Sequence, residues 1–226
     1  MTKIDHEHIR KCSLRAEDTA LVQSSKLYQN HFKRIVDVCF VLLTLPVALP
    51  LIAFLALLVK LGGGSPFYSQ ERVGKDGRVF RIWKLRTMVH DADARLESIL
   101  SSDPAVRKEW ESSQKLKNDP RITPLGRFLR KSSADELPQL FNVLTGTMSL
   151  VGPRPFMPCQ RDQYHGTAYY QLRPGITGFW QISDRNESEF VARVYYDELY
   201  LQTVSLQTDL KILARTFFVV FKCTGH

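Results

Sequence analysis

Two adjacent acids, Asp135 and Glu136, are the best candidates for chemistry in this sequence. They follow a basic run at residues 127–131 and precede a short apolar segment. Ser133 and Glu136 have the spacing of a capping box, which predicts that both acids lie in a first helical turn, where unpaired N–H groups favour anions. An ionised Asp135 beside several cations is suited to attack a phosphoryl group, because the cations neutralise the substrate's oxygens.

Other interpretations of the same pair stay open at this point. Acids in first helical turns commonly act only as caps. Glycosidases also use two acids, but adjacent helical side chains diverge by about 100°, whereas a glycosidase pair flanks its bond at about 5 to 9 Å. A non-enzymatic membrane adaptor, whose basic face binds anionic lipid, is the remaining alternative.

The composition favours an anionic partner. The formal net charge is +8 and the sequence pI is about 9.4, which suits nucleic acid, anionic lipid or phosphate-bearing substrates. Lys and Arg outnumber the acids between Glu71 and Lys131, just upstream of Asp135, and this placement favours a small anionic ligand. The four cysteines are far apart without a C-x-x-C pair, so neither a zinc site nor a disulfide framework is indicated.

An apolar segment from Val38 to Val59 is long enough to form a membrane helix, which needs about 20 residues. Pro46 and Pro50 lie inside it, and basic residues flank both ends, with Lys60 on the far side. Prolines disfavour a straight helix and positive flanks mark the cytoplasmic side, so this pattern favours a re-entrant hairpin. A crossing helix stays open, because spanning helices also tolerate proline.

The residues before and after the apolar segment give three further predictions. Residues 1 to about 30 read as a loose polar tail. Asp37 is expected to pair with Arg34, three residues before it. Two extended runs around Asp76-Gly77 predict a β-hairpin.

Further along, Asp91 to about Ser101 and Asp103 to Lys117 are predicted to form two polar helices, the second with Asp103 as its cap. Thr123-Pro124 predicts the start of a basic helix. Residues 206–221 have the apolar spacing of a helix that packs on the domain or lies in the membrane surface. Two Arg-Pro segments, around Arg154 and Arg173, predict irregular loops whose prolines stiffen an arginine suited to phosphate.

Six ordered motifs together make the chain from Lys33 onward resemble the bacterial sugar transferases, the monotopic phosphoglycosyl transferases. Within that family it looks most like exopolysaccharide-initiating galactosyl-1-phosphate transferases. The motifs are Lys33-Arg34 with Asp37, Gln70-Glu71-Arg72-x-Gly74, Lys84-Leu85-Arg86-Thr87-Met88, Asp135-Glu136-Leu137-Pro138-Gln139-Leu140, Val151-Gly152-Pro153-Arg154-Pro155, and Arg173-Pro174-Gly175-Ile176-Thr177-Gly178.

The resemblance implies a mainly α fold with a small β-hairpin, in a monotopic membrane protein. Its membrane helix would be re-entrant and broken at Pro50, and its cytoplasmic catalytic domain would carry surface amphipathic helices. The implied boundaries are a tail at 1–32, the membrane helix at 33–61 and the catalytic domain at 62–226. The implied location is the cytoplasmic face of the bacterial inner (plasma) membrane.

The resemblance also implies a ping-pong reaction. Asp135 would attack the β-phosphate of a UDP-sugar, either UDP-galactose or UDP-glucose, UMP would leave, and undecaprenyl phosphate would then take the phosphosugar. Mg²⁺ is the implied cofactor, with Asp135 and Glu136 as its ligands. Membrane lipid is an expected partner, nucleic acid is not, and a homodimer is left open. The implied substrate-binding residues are Arg86, Arg130, Arg154, Arg173 and Arg185. One departure is Asp184, where the family usually has glycine.

Overall fold

The structure is a computed structural model that describes residues 26–113, 116, 118–183 and 190–221. The chain forms two compact units, each built from separated stretches. The described residues of the first unit fall within Met1–Leu43, Glu71–Phe80 and Asn142–Phe217, and those of the second fall within Thr44–Gln70, Arg81–Phe141 and Phe218–His226. The predicted division into tail, membrane helix and catalytic domain stays a prediction, and residues 1–25 of the predicted tail lie outside the described residues.

The longest helix, α1, spans Lys33–Leu61 and follows a π-helical turn at Tyr28–Phe32. Both prolines of the apolar segment lie inside α1, which is assigned as helix throughout. Within the described residues, the stretch Tyr28–Leu61 is the one helix that length and composition would allow to cross a membrane. Many of its large apolar side chains are exposed, including Leu43 and Val47. The re-entrant path and the break at Pro50 stay predictions.

A β-hairpin follows α1, as the Asp-Gly sequence predicts. Strands β1 (Phe67–Val73) and β2 (Val79–Leu85) pair in a two-stranded sheet, and the turn Lys75–Gly77 joins them. Asp76 and Gly77 both have positive φ angles, 57° and 72°. Asp and Gly tolerate this left-handed backbone, which explains why they stand at the turn.

Three helices of the second unit begin where the sequence predicts, but the second polar helix ends at Ser113, before the predicted Lys117. Helices α2 (Ala92–Ser102) and α3 (Pro104–Ser113) form the polar pair, and the carboxylate of Asp103 accepts a hydrogen bond from the Ala105 N–H at 2.8 Å. Helix α4 spans Pro124–Lys131. Its cap is Thr123, whose hydroxyl accepts the Gly126 N–H at 2.9 Å. The apolar core of this unit includes Leu55, Ala56, Leu85 and Leu129.

A parallel strand pair in the first unit corrects the prediction of two irregular Arg-Pro loops. Strand β3 (Ser149–Val151) pairs with β4 (Gly175–Thr177), with Ser149 opposite Gly175. The backbones approach so closely that a Cβ added to Gly152 would collide with the carbonyl oxygen of Arg173. Three-residue strands lack the alternation that identifies longer ones, so only the tertiary approach that glycine permits reveals them.

The rest of the first unit is helical. The final helix, predicted from residues 206–221, forms over that range, with Ile212 buried and Leu210, Phe217 and Phe218 exposed. An aromatic core forms beside Val73, with Phe156, Tyr164 and Tyr169 in ring contact. Helix α5 (Gln139–Leu144) contains residues of both units. The α-helices α6 (Ala168–Gln171), α7 (Phe179–Ile182) and α8 (Arg193–Thr203) belong to the first unit, and α9 (Leu206–Phe221) belongs to it up to Phe217.

A buried ionic group, here called the Lys33 cluster, consists of Lys33, Asp37 and Asp209. The Lys33 ammonium lies 2.7 Å from Asp209 Oδ2 and 3.8 Å from Asp37 Oδ1. Asp209 also accepts hydrogen bonds from the hydroxyls of Tyr28 at 2.8 Å and Tyr200 at 2.7 Å. The cluster therefore connects the start of α1 to α8 and α9 within the first unit.

The expected Arg34–Asp37 pair is wrong. Asp37 instead accepts the Ser149 hydroxyl at 2.6 Å and the Leu150 N–H at 3.3 Å. Arg34 donates to the carbonyl oxygens at the end of α5, those of Val143 and Leu144. A guanidinium at a helix C-terminus meets carbonyl groups that have no partner within the helix, and this contact replaces the local ion pair.

Candidate active site

The acids at residues 135–136 lie on a short 3₁₀ turn, Ala134–Glu136, between α4 and α5. The predicted capping box is wrong, because Ser133 makes no side-chain cap bond and has a left-handed backbone, with φ 56° and ψ 16°. An N-cap residue is normally extended. Ser133 instead follows the C-cap of α4 and donates its N–H to the Arg130 carbonyl at 3.0 Å. Its own carbonyl accepts the Glu136 N–H at 3.2 Å, so Ser133 links the end of α4 to the short turn through its backbone and not through its side chain.

Lys84, at the end of β2, holds both acids. Its ammonium lies 2.7 Å from Glu136 Oε1 and 3.7 Å from Asp135 Oδ2. The Lys84 side chain is 23% exposed, Glu136 17% and Asp135 11%. Although adjacent helical side chains diverge, one ammonium is enough to bring these two carboxylates together. These three residues are called the Lys84 cluster below.

Arg130 adds a second cation to this part of the second unit. Its Nε–H donates to the Thr87 hydroxyl at 2.9 Å. Burial lowers the pKa of the Arg130 guanidinium, while the negative charges of Asp135 and Asp119 act in the opposite direction. Arg130 therefore lies within electrostatic reach of Asp135. The site thus combines two acids with two cations, and the cations can interact with the negative charges of an anionic substrate.

The other predicted arginines that the structure describes make different contacts. Arg86 donates through Nε to the Ser65 carbonyl at 2.9 Å and lies over the Tyr68 ring, so its recorded contacts are with the hairpin region. Arg154 and Arg173 belong to the first unit. Arg154 lies over the ring of Trp180, and Arg173 donates to the Gly146 carbonyl at 3.1 Å.

The structure thus brings Asp135, Glu136 and Arg130 together within one unit. Arg185 and the neighbouring Asp184 lie outside the described residues. The substrate-binding roles of Arg86, Arg154, Arg173 and Arg185 therefore stay predictions.

Lys84 and Thr87 are the residues that sequence reasoning missed, although both stand in the motif at residues 84–88. The signal for Lys84 was strand alternation, because it shares a face of β2 with buried Ile82. A lysine on an inward strand face needs an opposite charge. The acids at 135–136 could have been assigned to it on that ground. Thr87 carried no comparable signal.

Asp135 and Glu136 are the carboxylates that could bind magnesium at this site. No group of three or more His, Cys, Asp or Glu side chains suited to a metal occurs among the residues that the structure describes. Magnesium is usually bound through one or two carboxylates, with water and substrate phosphates completing its six positions. Asp135 and Glu136 fit a magnesium ion that arrives with a diphosphate, rather than one held by protein alone.

Comparison with known proteins decides the family. The profile described as "Bacterial sugar transferase" matches residues 28–223, which is most of the chain. The chain belongs to the bacterial sugar transferase family. The family match confirms the resemblance inferred from the six motifs.

Several curated members of the family are similar to this chain. The chain is 45% identical over 203 residues to the UDP-galactose-lipid carrier transferase of Erwinia amylovora, covering 89% of this chain and 43% of the relative. It is 43% identical over 214 residues to the undecaprenyl-phosphate galactose phosphotransferase of Salmonella typhimurium, covering 94% and 44%. The exopolysaccharide production protein ExoY of Sinorhizobium fredii is 44% identical over 196 residues, covering 85% and 87%. The chain thus spans less than half the length of the first two relatives.

Proposed function

We propose that this protein transfers a sugar-1-phosphate from a UDP-sugar to undecaprenyl phosphate, releases UMP and thereby initiates a surface glycan. The observation that carries the proposal is the convergence of Asp135 and Glu136 on Lys84, with Arg130 in reach of Asp135. The names of the relatives support the substrate class, since they specify UDP-galactose, a lipid carrier and undecaprenyl phosphate. UDP-galactose is the first donor to test, and UDP-glucose is the second.

Asp135 is the nucleophile in this proposal. One of its carboxylate oxygens forms a bond to the β-phosphorus of the UDP-sugar, the bond between the β-phosphorus and the bridging oxygen breaks, and UMP leaves with the electron pair. An oxygen of undecaprenyl phosphate then attacks the same phosphorus and restores the Asp135 carboxylate. Lys84 and Arg130 offset negative charge on the phosphoryl oxygens during both steps.

The position of Asp135 suits this role. The side chain is only 11% exposed, so bulk water solvates it little, and the Lys84 ammonium lies 3.7 Å from its Oδ2. The short turn between α4 and α5 restricts its backbone. A charged nucleophile that is fixed in place and only partly hydrated can attack without a large rearrangement of solvent.

Glu136 has a separate task. Its contact with Lys84 at 2.7 Å fixes the ammonium beside both acids, and its carboxylate can take a proton from the incoming lipid phosphate. Magnesium held by Asp135 and Glu136 together with substrate oxygens would neutralise charge on the diphosphate.

The proposed location is the cytoplasmic face of the bacterial inner membrane. A lipid phosphate presents its head at the membrane surface, while a nucleotide-sugar reaches that surface from water. The exposed apolar side chains of α1 are suited to anchoring the chain there. A re-entrant α1 that turns at Pro50 would keep both ends of the helix on the same side as the nucleotide-sugar.

The test is to incubate the purified full chain, in detergent or lipid nanodiscs, with magnesium, undecaprenyl phosphate and either UDP-galactose or UDP-glucose. Release of UMP with formation of a lipid diphosphate sugar supports the proposal. Release of UDP would show sugar transfer without phosphate, and release of neither nucleotide would favour the adaptor hypothesis. With undecaprenyl phosphate omitted, mass spectrometry should find the phosphosugar on the peptide that contains Asp135. An adduct on another residue would overturn the role of Asp135.

A further inference from the structure

Thr87 contacts the first turn of helix α4 through its backbone carbonyl. Its carbonyl oxygen accepts the Thr123 N–H at 3.0 Å, immediately before α4 begins. A Cβ added to Gly126 would collide with the same carbonyl group and would lie 2.7 Å from its carbon. Glycine at position 126 therefore allows the first turn of α4 to lie directly on the Thr87 backbone.

This contact also sets the position of Arg130. Gly126 and Arg130 are four residues apart in α4, so they lie on the same helix face in successive turns. With Gly126 against the Thr87 carbonyl, the next turn brings Arg130 to the Thr87 side chain. Arg130 Nε then donates to Thr87 Oγ1 at 2.9 Å. Thr87 thus contacts α4 twice, once through its backbone and once through its hydroxyl.

The two contacts of Thr87 have different consequences. The backbone carbonyl accepts the Thr123 N–H at the start of α4, and it would do so whatever side chain stood at position 87. The hydroxyl oxygen accepts a hydrogen bond from Arg130 Nε–H. Since the guanidinium is planar, a bond at Nε fixes the orientation of the whole group. It leaves the four N–H donors of the two Nη groups outside the contact.

We propose that Thr87 is a positioning residue, whose hydroxyl orients the Arg130 guanidinium so that its Nη groups bind the diphosphate of the substrate. This rests on the proposed function, since that function supplies the diphosphate. Arg130 precedes Asp135 by five residues and interacts electrostatically with its carboxylate. A guanidinium held in this orientation would therefore place the bound phosphoryl group near the nucleophile. Thr87 is 7% exposed, which keeps water from replacing Arg130 at its hydroxyl.

The experiment measures binding of inorganic pyrophosphate to the full chain, which reports the arginine contact without any transfer reaction. Thr87→Val keeps the shape of threonine and loses the hydroxyl, and Thr87→Ser keeps the hydroxyl. Thr87→Val should weaken pyrophosphate binding about tenfold, as expected for a lost hydrogen bond to a charged group. Thr87→Ser should bind within about twofold of the original chain. Adding Thr87→Val to Arg130→Ala should cause no further loss.

A matched control separates orientation from general loosening of α4. Ser132→Ala removes the hydroxyl that bonds the Phe128 and Leu129 carbonyls at the end of the same helix. This variant should leave pyrophosphate binding unchanged. Thermal unfolding measured alongside shows whether any variant is merely less stable, because a loss of stability alone would not change the affinity of the folded protein.

Four outcomes would overturn the proposal. They are normal binding by Thr87→Val, weak binding by Thr87→Ser, a further loss when Thr87→Val is added to Arg130→Ala, and pyrophosphate binding that is absent or independent of Arg130. The transfer assay with UDP-sugar is run on the same samples. If Thr87 and Arg130 act together on pyrophosphate but no UMP is released by the original chain, the proposed function fails and the positioning role stands.

Discussion

The Lys33 cluster and the Lys84 cluster have the same composition, one lysine and two carboxylates, in two different units of the molecule. In the Lys33 cluster the side chains are only 4% to 7% exposed. In the Lys84 cluster they are 11% to 23% exposed. The same three charges therefore occur once as part of a core and once where a substrate can reach them.

The partners of the two clusters differ as well. The carboxylates of the Lys33 cluster accept hydrogen bonds from two tyrosine hydroxyls, a serine hydroxyl and a backbone N–H. Such bonds satisfy the lone pairs of a buried acid and give it a structural role. The Lys84 cluster lies beside Arg130, a cation whose own bond to the protein runs through Nε. Burial and partners, rather than residue type, separate an ionic group that supports the fold from one suited to chemistry.

The largest expected effect is on the Lys84 cluster. Asp135→Asn should reduce phosphosugar transfer by about a thousandfold or more, because the amide is not a nucleophile. Membrane association and the unfolding temperature should stay unchanged, since the variant keeps its shape. The assay is UMP release. Asp162→Asn changes an exposed acid and is the control. Substantial residual transfer by Asp135→Asn would assign the chemistry to another group.

Removing each lysine tests the comparison directly. Lys33→Met leaves two buried carboxylates without their cation and should lower the free energy of unfolding by about 3 to 5 kcal/mol. Lys84→Met removes the cation from acids that are more exposed than those of the Lys33 cluster, so it should lower the free energy of unfolding less than Lys33→Met, while transfer falls sharply. Denaturant unfolding and UMP release measure the two effects, with exposed Lys108→Met as the control. Equal losses of stability in both variants would remove the distinction between the clusters.

A smaller effect is expected from Glu136→Gln. The amide keeps an oxygen for Lys84 but cannot take a proton, so transfer should fall by about a hundredfold. Stability should change little, because the side chain is partly exposed. The single release of UMP without undecaprenyl phosphate and the steady-state rate with it together locate the loss. If the rate of UMP release is unchanged, Glu136 has no part in the reaction.

The last expected effect depends on pH and concerns Asp197, a buried acid of the first unit. Burial raises its pKa from 3.8 to about 7, although the Tyr164 hydroxyl donates to Oδ2 at 2.8 Å and favours the charged form. The folded protein therefore keeps a proton that the unfolded chain releases near pH 4. This contribution to stability is complete below that pH and is lost as the pH rises towards about 7.

Unfolding of the original chain and of Asp197→Asn, compared between pH 4 and 8, measures this contribution. The difference in unfolding free energy should shift against the original chain by up to about 1.4 kcal/mol per pH unit as the pH rises. A difference that does not vary with pH would show that Asp197 is charged in the folded protein.

Local patterns in the sequence predicted much of the fold. The hairpin at Asp76-Gly77, the helix starts at Asp103 and Thr123, and the C-terminal helix all form where expected. These features depend on neighbouring residues, since turn geometry, capping and apolar spacing are set within a few positions along the chain. The basic helix before the acids was likewise correct, and the structure brings Arg130 into reach of Asp135.

The features that failed depend on distant residues. Ser133 has the sequence of an N-cap, yet its position directly after α4 gives it a left-handed backbone. Arg34 has an acid three residues away, yet it donates to the end of α5, more than a hundred positions along the chain. Neither outcome can be seen in a local window, because each reflects which element packs nearby.

The sequence by itself determined where the turns and most helices begin, which family the chain belongs to, and which acid to suspect. Only the tertiary structure decided that Lys84 joins Asp135 to Glu136, that Thr87 receives Arg130, and that a second lysine cluster of equal composition is buried. The physical reason is that an ionic contact depends on distance and on exclusion from water. Both are properties of the folded chain rather than of the order of its residues.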